Sequence, residues 1–215
     1  MKGLILVDFD NTLTSNDTTR ALLISLLKSK PLSCLRVFSY CMKMKKSGGS
    51  DIQLWKNQAI GELICGKFCD KILDSLNLYR RIVKRYIRSD ILSRLLMYAK
   101  EGKEVIIVSA SPRFAVSHCL SEYPFSVIGT EFMVENNLFF RKTLDPICFG
   151  EGKIHWISKW VNENLTEPFT YLESWSDELS DLPMMQLSQK KFWVCSEKKK
   201  KDLKACFPDA EYFLC

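Results

Sequence analysis

The chain has 215 residues, of which 47% are hydrophobic and 26% charged, and its formal net charge is +6. These values fit a globular protein with one large domain, or a core of about 140 residues with a smaller insert. No stretch approaches the run of about 20 apolar residues that spans a membrane. The first apolar run, residues 4–7, is too short for a signal peptide. We therefore expect no membrane partner.

The cysteine content points to a reducing compartment. The chain has nine cysteines and two histidines, and no CxxC pair recurs, which argues against a structural zinc site. Such usage is typical of a cytoplasmic protein. We expect small buried side chains or incidental thiols at Cys34, Cys41, Cys65, Cys69, Cys119, Cys148, Cys195, Cys206 and Cys215.

The first part of the chain is predicted to be one strand followed by helices. Residues 3–7 are apolar and predict a buried parallel strand, which ends at the acidic segment DFDNTLT. Apolar residues then recur at helical spacing, with breaks at Pro31, at residues 47–50 and at Gly66. This pattern predicts an all-helical insert with helices at 17–28, 32–46, 51–65 and 68–87.

From residue 89 onwards, helical and strand patterns alternate. Asn136 and Asn137 predict the turn of a hairpin over residues 131–141, which we expect to extend the sheet. The predicted helices are 91–100, 112–122, 153–164, 178–188 and 198–206, and the predicted strands are 104–108, 125–128, 169–173, 191–195 and 211–214. The alternation predicts a Rossmann-like α/β fold with a doubly wound, mostly parallel sheet. We expect this core at 1–14 and 89–215, and a helical cap at 15–88.

Two carboxylates follow the first predicted strand. Asp8 and Asp10 are two residues apart, at a strand end where open α/β sheets carry functional groups. Both can converge on one Mg²⁺, which prefers a few carboxylate oxygens and keeps several waters. Asp8 could then attack a phosphoryl group, and Asp10 could protonate the leaving oxygen and later deprotonate a water. The pair alone is equally typical of caps or surface acids.

Three further groups follow later strands or open helices. Ser109 follows the strand 104–108 and could bind a phosphoryl oxygen or cap the next helix. Lys153 lies at a helix start, where a cation is disfavoured, and could bind phosphate or a carboxylate, or face solvent. Asp177 and Asp181 could complete a metal site or cap a helix. Because the carboxyl ends of parallel strands share one edge, these groups and the first pair together predict one site.

These motifs resemble those of the haloacid dehalogenase superfamily of phosphatases, in its phosphoserine-phosphatase-like branch, over essentially the whole chain. The matching residues are Asp8, Asp10 and Thr12 in DFDNT, Ser109 in VIIVSAS, Lys153 in GEGK, and Asp177 and Asp181 in SDELSDLP. The resemblance implies that Asp8 is the nucleophile and a Mg²⁺ ligand, and that Asp10 is the general acid/base with its backbone carbonyl on the metal. It also implies that Ser109 and Lys153 hold the phosphoryl group, while Asp177 binds the metal and Asp181 supports its site.

The chain departs from this branch near the substrate. Asp17 stands where Glu is common, residues 110–112 read Ala-Ser-Pro where a Gly-rich segment is common, and Ser176 stands where Gly is usual. Specificity for phosphoserine is therefore open. We name Asp17, Asn11 and Ala110 as candidate substrate-binding residues, although Asp17 could instead cap the first helix of the insert.

The sequence thus predicts a Mg²⁺-dependent phosphomonoester hydrolase that forms an aspartyl-phosphate on Asp8 and acts on a small phosphorylated metabolite. We expect a monomer or homodimer. A phosphotransferase or mutase with the same nucleophile is one alternative, and a non-enzymatic anion- or nucleic-acid-binding protein is another. Nucleic acid is not the expected partner, because the lysine clusters within 43–46 and 198–201 lack interleaved aromatic residues.

Overall fold

A six-stranded parallel sheet forms the centre of the protein. The computed structural model describes residues 2–214, apart from the side chains of residues 50 and 202. The strands, numbered along the chain, are β1 (Lys2–Val7), β2 (Glu104–Pro112), β3 (Ser126–Thr130), β4 (Phe132–Glu135), β5 (Leu138–Thr143), β6 (Phe169–Ser176), β7 (Lys190–Cys195) and β8 (Glu211–Leu214). The central sheet has the order β3-β2-β1-β6-β7-β8, and its neighbours pair in parallel. The order reverses beside β1, where sheets of this kind bind their ligands at the carboxyl edge.

Helices cover both faces of this sheet. They are α1 (Thr19–Leu27), α2 (Cys34–Lys46), α3 (Gly49–Ile64), α4 (Leu73–Val83), α5 (Ser89–Lys100), α6 (Arg113–Leu120), α7 (Glu151–Asn164), α8 (Leu182–Gln186) and α9 (Glu197–Cys206). The predicted Rossmann-like α/β fold is confirmed. Helices α1 to α4 follow one another between β1 and α5, in the predicted insert, whose bounds of 15–88 stay a prediction.

Strand β1 lies at the middle of the core. Leu4, Ile5, Leu6 and Val7 have no exposed surface. Ile5 and Val7 belong to the core cluster that includes residues of α5 and α6, while Leu4 and Leu6 belong to a second cluster with residues of α7 and α8. Because both faces are covered, the strand is apolar without alternation, which is why its sequence predicted a buried parallel strand.

The hairpin β4–β5 is present, but the expectation that it extends the sheet is wrong. Its strands pair with each other in a separate two-stranded sheet, and Leu138 of β5 also forms an isolated antiparallel bridge with Phe68 of the insert. Asn136 and Asn137 form the turn with φ of 50° and 65°. The Gly66 N–H donates to the Phe139 carbonyl at 2.9 Å, and Arg141 lies 2.7 Å from the buried Glu62 of α3. The hairpin therefore forms backbone hydrogen bonds and an ion pair with the helical insert.

Other differences are local. Strand β2 continues to Pro112, four residues past its predicted end, so that Ser109 lies inside the strand. The predicted helix 178–188 is a 3₁₀ turn at Leu179–Asp181 followed by α8. Of the cysteines, Cys119, Cys148 and Cys195 are buried and Cys34 and Cys206 exposed, while Cys215 lies outside the described residues. Among residues 2–214, no helix is both long enough and apolar enough to cross a membrane.

The contact between α3 and β5 makes a stability prediction at Gly61. A Cβ atom at this position would lie 2.6 Å from the Arg141 carbonyl oxygen, which is backbone and cannot move aside easily. We expect Gly61→Ala to lower the free energy of unfolding by about 2 kcal/mol, although alanine favours the helix itself. Urea denaturation of the purified protein measures this change.

Gly48→Ala is the matched control, because a Cβ atom there meets nothing within 4 Å. We expect it to change the free energy of unfolding by less than about 1 kcal/mol. Equal effects of the two substitutions would show that the hairpin does not press on α3.

Candidate active site

A tight turn after β1 brings two carboxylates to the carboxyl edge of the sheet. The Asp8 N–H donates to the Trp175 carbonyl of β6 at 2.9 Å, which extends the sheet by one residue. Phe9–Leu13 then form an irregular turn, in which Asp10 is extended and Asn11 has φ of 61°, and the Thr14 N–H closes it by donating to the Phe9 carbonyl at 2.9 Å. Asparagine tolerates this left-handed conformation better than most residues. The turn places Asp8, Asp10 and Asn11 on one cavity.

This cavity has a volume of about 260 Å³ and collects most of the residues that the sequence singled out. Its walls come from the ends of β1, β2 and β6, from the start of α7 and from α3. The lining residues are Asp8, Asp10, Asn11, Asp17, Ile52, Gln53, Lys56, Ala110, Ser111, Phe149, Lys153, Asp177, Glu178 and Asp181. Of the predicted site residues, only Ser109 is missing from this wall, because it lies fully buried behind Ser111.

Lys153 joins two acidic residues from different elements. Its Nζ atom donates to Asp8 Oδ1 and to Asp181 Oδ2, both at 2.7 Å, and the residue is 1% exposed. Burial works to lower the pKa of Lys153, but the carboxylates of Asp181 and Asp8 raise it above its ordinary value. These carboxylates are the reason why a cation is stable in the first turn of α7, where the helix dipole disfavours it.

Asp8 and Asp181 differ in their remaining partners. Burial raises the pKa of Asp8 well above its ordinary value, and the Lys153 ammonium group opposes this effect. Asp181 accepts a second hydrogen bond, from Ser176 Oγ at 2.7 Å, and is 3% exposed. Lys153 and Ser176 therefore both donate to the same oxygen of Asp181, whereas the bonded oxygen of Asp8 accepts from Lys153 alone.

Asp10 connects β1 to β2 and to the helical insert. Its Oδ2 atom accepts from Ser111 Oγ at 2.6 Å and lies 3.5 Å from Ser109 Oγ, and its Oδ1 atom accepts from the Thr18 N–H at 2.7 Å. The hydroxyl of Ser109 also accepts from the Ser111 N–H at 3.0 Å. Burial and the nearby Asp17 raise the pKa of Asp10, although its hydrogen bonds lower it. A raised carboxyl pKa suits a group that donates and accepts a proton near neutral pH.

Asp177 follows β6 on the other side of the cavity. Its Oδ1 atom accepts from Thr12 Oγ1 at 3.2 Å. Burial raises the pKa of Asp177 to about 6, while the Lys199 ammonium opposes the shift. Lys199 Nζ lies 4.0 Å from Asp177 Oδ2 and also donates to the Asp177 carbonyl. The sequence grouped Lys199 with a surface run, and its place after β7 was the available signal for a site role.

The insert contributes a charged pair at the mouth of the cavity. Lys56 Nζ lies 2.5 Å from Asp17 Oδ2, and Asp17 Oδ1 accepts from the Thr19 N–H at 2.8 Å. Although burial works to raise it, the Lys56 ammonium lowers the pKa of Asp17. Asp17 thus bonds the first turn of α1, the alternative that the sequence left open, and also lines the cavity. Lys56 and Gln53 were missed, although their spacing of three residues places them on one side of α3.

The donor set fits a hard cation with few protein ligands. Within residues 2–214, no three His, Cys, Asp or Glu side chains form a group arranged to hold a metal ion. Asp8 and Asp177 nevertheless line the same cavity, and burial raises the pKa of both. Burial thus disfavours the charged form of both carboxyl groups, and a bound cation would favour it. Two carboxylates and waters are a ligand set that Mg²⁺ accepts.

The fold and the order of these groups define an enzyme of the hydrolase class. The chain belongs to the haloacid dehalogenase-like hydrolase family, which matches residues 5–186. The predicted family and the prediction of an enzyme are thereby confirmed. No curated protein sequence matches the chain significantly.

Solved structures of similar fold have little sequence in common with the chain. A protein of unknown function from Bordetella pertussis Tohama I has a TM-score of 0.82 at 12% identity, covering 99% of this chain and 98% of that one. A phosphoserine phosphohydrolase-like protein from Francisella tularensis has a TM-score of 0.61 at 12% identity, with coverage of 99% and 95%. A phosphoserine phosphatase, solved as a phospho-aspartyl intermediate analogue, has a TM-score of 0.56 at 15% identity, with coverage of 99% and 93%. At these identities the likeness concerns the fold.

The buried contacts of Lys153 make a prediction about stability. We expect Lys153→Met to lower the free energy of unfolding by about 3 to 5 kcal/mol near neutral pH, because Asp8 and Asp181 then lose their buried counter-ion. The pKa of Asp8 is raised by burial, so protonation of Asp8 in the folded state removes part of the cost as the pH falls. The deficit relative to the parent should therefore be smaller at about pH 5 than at about pH 7.

Urea denaturation in EDTA at the two pH values measures both effects. Lys159→Met is the control on the same helix, because the Lys159 side chain is 49% exposed and should contribute less than about 1 kcal/mol. A deficit for Lys153→Met that grows as the pH falls would contradict the assignment of a charged pair.

Proposed function

We propose that the protein is a Mg²⁺-dependent phosphomonoester hydrolase with Asp8 as its nucleophile. The observation that carries the proposal is the single cavity shared by Asp8, Asp10, Lys153 and Asp177 at the carboxyl ends of β1 and β6 and the start of α7. A nucleophile, an acid/base, a fixed cation and a further hard ligand are the groups that phosphoryl transfer requires. The family is one of hydrolases, and water is therefore the proposed acceptor.

The reaction proceeds in two displacements. Lys153 holds Asp8 Oδ1, so the other carboxylate oxygen attacks phosphorus, and the bond from phosphorus to the leaving oxygen breaks. Asp10 gives its proton to that oxygen, the leaving alcohol departs, and the phosphoryl group is now bound to Asp8 as an aspartyl-phosphate. Asp10 then takes a proton from a water, which attacks the same phosphorus and releases phosphate and the Asp8 carboxylate.

Hydrogen bonds hold Asp10 for both proton transfers. Ser111 Oγ and the Thr18 N–H fix its two oxygens, while burial raises its pKa and so favours the protonated form that the first step needs. Lys153 and the hydroxyl of Ser111, which both line the cavity, hold the phosphoryl oxygens. We assign Ser109 a supporting position, because its hydroxyl already accepts from the Ser111 N–H.

The metal would be held by the carboxylates of Asp8 and Asp177 and by the backbone carbonyl of Asp10. Bound Mg²⁺ supplies positive charge that offsets the repulsion between Asp8 and a phosphate dianion. Asp181 supports the site from behind, through its bonds to Lys153 and Ser176.

Residues 15–88 act as a cap that selects the substrate. Ile52, Gln53 and Lys56 of α3 line the cavity opposite the catalytic carboxylates, and Asp17 pairs with Lys56 beside them. A cavity of about 260 Å³ suits a phosphate with a small leaving group. Two of the similar structures carry phosphoserine in their names. In this chain Asp17 is already paired with Lys56 and is not free to bind a substrate ammonium group, so we propose small phosphomonoesters in general as the substrate class.

The nucleophile is tested by Asp8→Asn. We expect turnover to fall more than about a thousandfold, because the amide cannot form the acyl-phosphate, while the circular dichroism spectrum stays that of the parent. Asp90→Asn is the control, since Asp90 is exposed at the start of α5 and outside the cavity. Turnover by Asp8→Asn within about tenfold of the parent would overturn the assignment.

The reaction class and the metal are tested together on a panel of phosphomonoesters, with Mg²⁺ and with EDTA. We expect phosphate release with Mg²⁺, loss of release in EDTA, and recovery when excess Mg²⁺ is added, because Asp8 and Asp177 bind the metal reversibly. Adding acceptor alcohols and measuring phosphate transferred to them separates hydrolysis from phosphotransfer. The absence of release from every ester in the presence of Mg²⁺ would contradict the proposal.

A further inference from the structure

The outer side of α2 carries a stripe of exposed apolar side chains. Leu35, Phe38 and Met42 are 84%, 63% and 39% exposed, and their spacing of three and four residues places them on one side of the helix. Leu32, just before the helix, is 97% exposed. We call these four residues the cap stripe. Isolated exposed apolar residues are ordinary, but a contiguous group of large ones marks a binding surface.

The opposite side of α2 already supplies the packing that the fold needs. Val37 is 3% exposed, and Cys41 and Met44 pack against the same core cluster. Tyr40 stacks on Trp55 of α3 with ring centroids 6.3 Å apart. The helix is therefore held in place from within, and folding gives no reason for the cap stripe.

Positive charge surrounds the cap stripe without any acidic residue in its segment. Residues 18–50 contain seven lysines and arginines and no aspartate or glutamate, so this segment is more positive than the whole chain at +6. Lys45 and Lys46 are exposed in the last turn of α2, and the helical period places them on either side of the stripe. Three cations of the segment already have partners, because Arg36 pairs with Glu62 at 2.9 Å, Lys30 donates to the Glu62 carbonyl at 2.8 Å and Lys43 lies over the Trp55 ring.

We propose that this side of the cap docks on the surface of an anionic lipid bilayer. Leucine, phenylalanine and methionine side chains with a fringe of lysines are the pattern of helices that lie in a bilayer interface. The apolar side chains enter the boundary between head groups and acyl chains, and Lys45 and Lys46 pair with lipid phosphates. The sequence alone favoured no membrane partner, because no segment is long enough to span one. Docking at the surface needs no such segment.

The side of α2 opposite the cap stripe borders a groove next to the catalytic cavity. This apolar groove of about 790 Å³ between α1, α2 and α4 includes Cys41 and Met44 of α2 and Ile24, which is 44% exposed. Asp17 and Lys56 line both this groove and the catalytic cavity. Helix α2 therefore separates the docking surface from the groove, and none of the cap-stripe residues lines the catalytic cavity.

The test is co-sedimentation of the full chain with vesicles of mixed phosphatidylcholine and phosphatidylserine, compared with phosphatidylcholine alone. We expect binding to the anionic vesicles, weakened by added salt. Leu35→Glu combined with Phe38→Glu, and Lys45→Glu combined with Lys46→Glu, should each weaken binding by about tenfold or more. All four positions lie outside the catalytic cavity, so hydrolysis of a water-soluble phosphomonoester should stay at the parent rate.

Two double variants are the controls, and each has the same charge change as the cap-stripe or lysine variant that it is compared with. Met97→Glu with Leu144→Glu alters exposed apolar residues elsewhere, and Lys198→Glu with Lys201→Glu alters the other lysine run. Both should bind vesicles like the parent, and thermal unfolding followed by circular dichroism checks the fold of every variant.

Several results would overturn the proposal. These are equal binding to both kinds of vesicle, no binding to either, and binding that the Lys198 variant weakens while the cap-stripe variants do not. Self-association of the chain that the cap-stripe variants abolish, without vesicle binding, would assign the surface to a second copy instead. None of these outcomes bears on the proposed hydrolysis, which is measured separately on the soluble ester.

Discussion

The ammonium group of Lys153 lies 2.7 Å from carboxylate oxygens of both Asp8 and Asp181, in a place that solvent scarcely reaches. Burying carboxylates without a counter-ion costs several kcal/mol for each charge. The ends of β1 and β6 can therefore meet the start of α7 only because this cation is shared between them. The same contact binds one oxygen of Asp8 and leaves the other free of Lys153, so the interaction that stabilises the buried carboxylates also orients the proposed nucleophile.

A second acidic residue connects the core to the cap. Asp10 accepts from Ser111 on β2 and from the N–H of Thr18 at the entrance to the helical insert. The turn that positions it depends on Asn11 in the left-handed conformation. Because Asp10 accepts this bond, a movement of the insert near Thr18 would also displace the proposed acid/base.

The helices of the insert make different contacts on their different sides. Helix α3 faces the catalytic cavity with Gln53 and Lys56 and receives the hairpin β4–β5 at Gly61. Helix α2 packs on α3 with one side and exposes the cap stripe on the other. Because α3 lines the cavity and packs against the inner side of α2, a partner bound to the cap stripe does not touch the candidate catalytic groups.

Local sequence patterns were enough to predict most of the secondary structure and the type of sheet. The uninterrupted apolar run of residues 4–7, the helical spacing before residue 88 and the alternation after it predicted the parallel sheet and the helices, because covered strands and amphipathic helices have distinct periods. The sequence also predicted a shared site, because parallel strands bring their carboxyl ends to one edge of the sheet. Its candidate residues are Asp8, Asp10, Lys153, Asp177 and Asp181.

Only the tertiary structure decided which groups from distant segments touch. Ser111, Lys56 and Lys199 gained their places through side-chain contacts to Asp10, Asp17 and Asp177, and such contacts have no period in the sequence. The hairpin pairs with the insert and not with the sheet, because backbone groups of residues 66 and 67 supply its hydrogen bonds. The cap stripe was likewise hidden, since a pattern shows that a helix has an apolar side but not whether another element covers it.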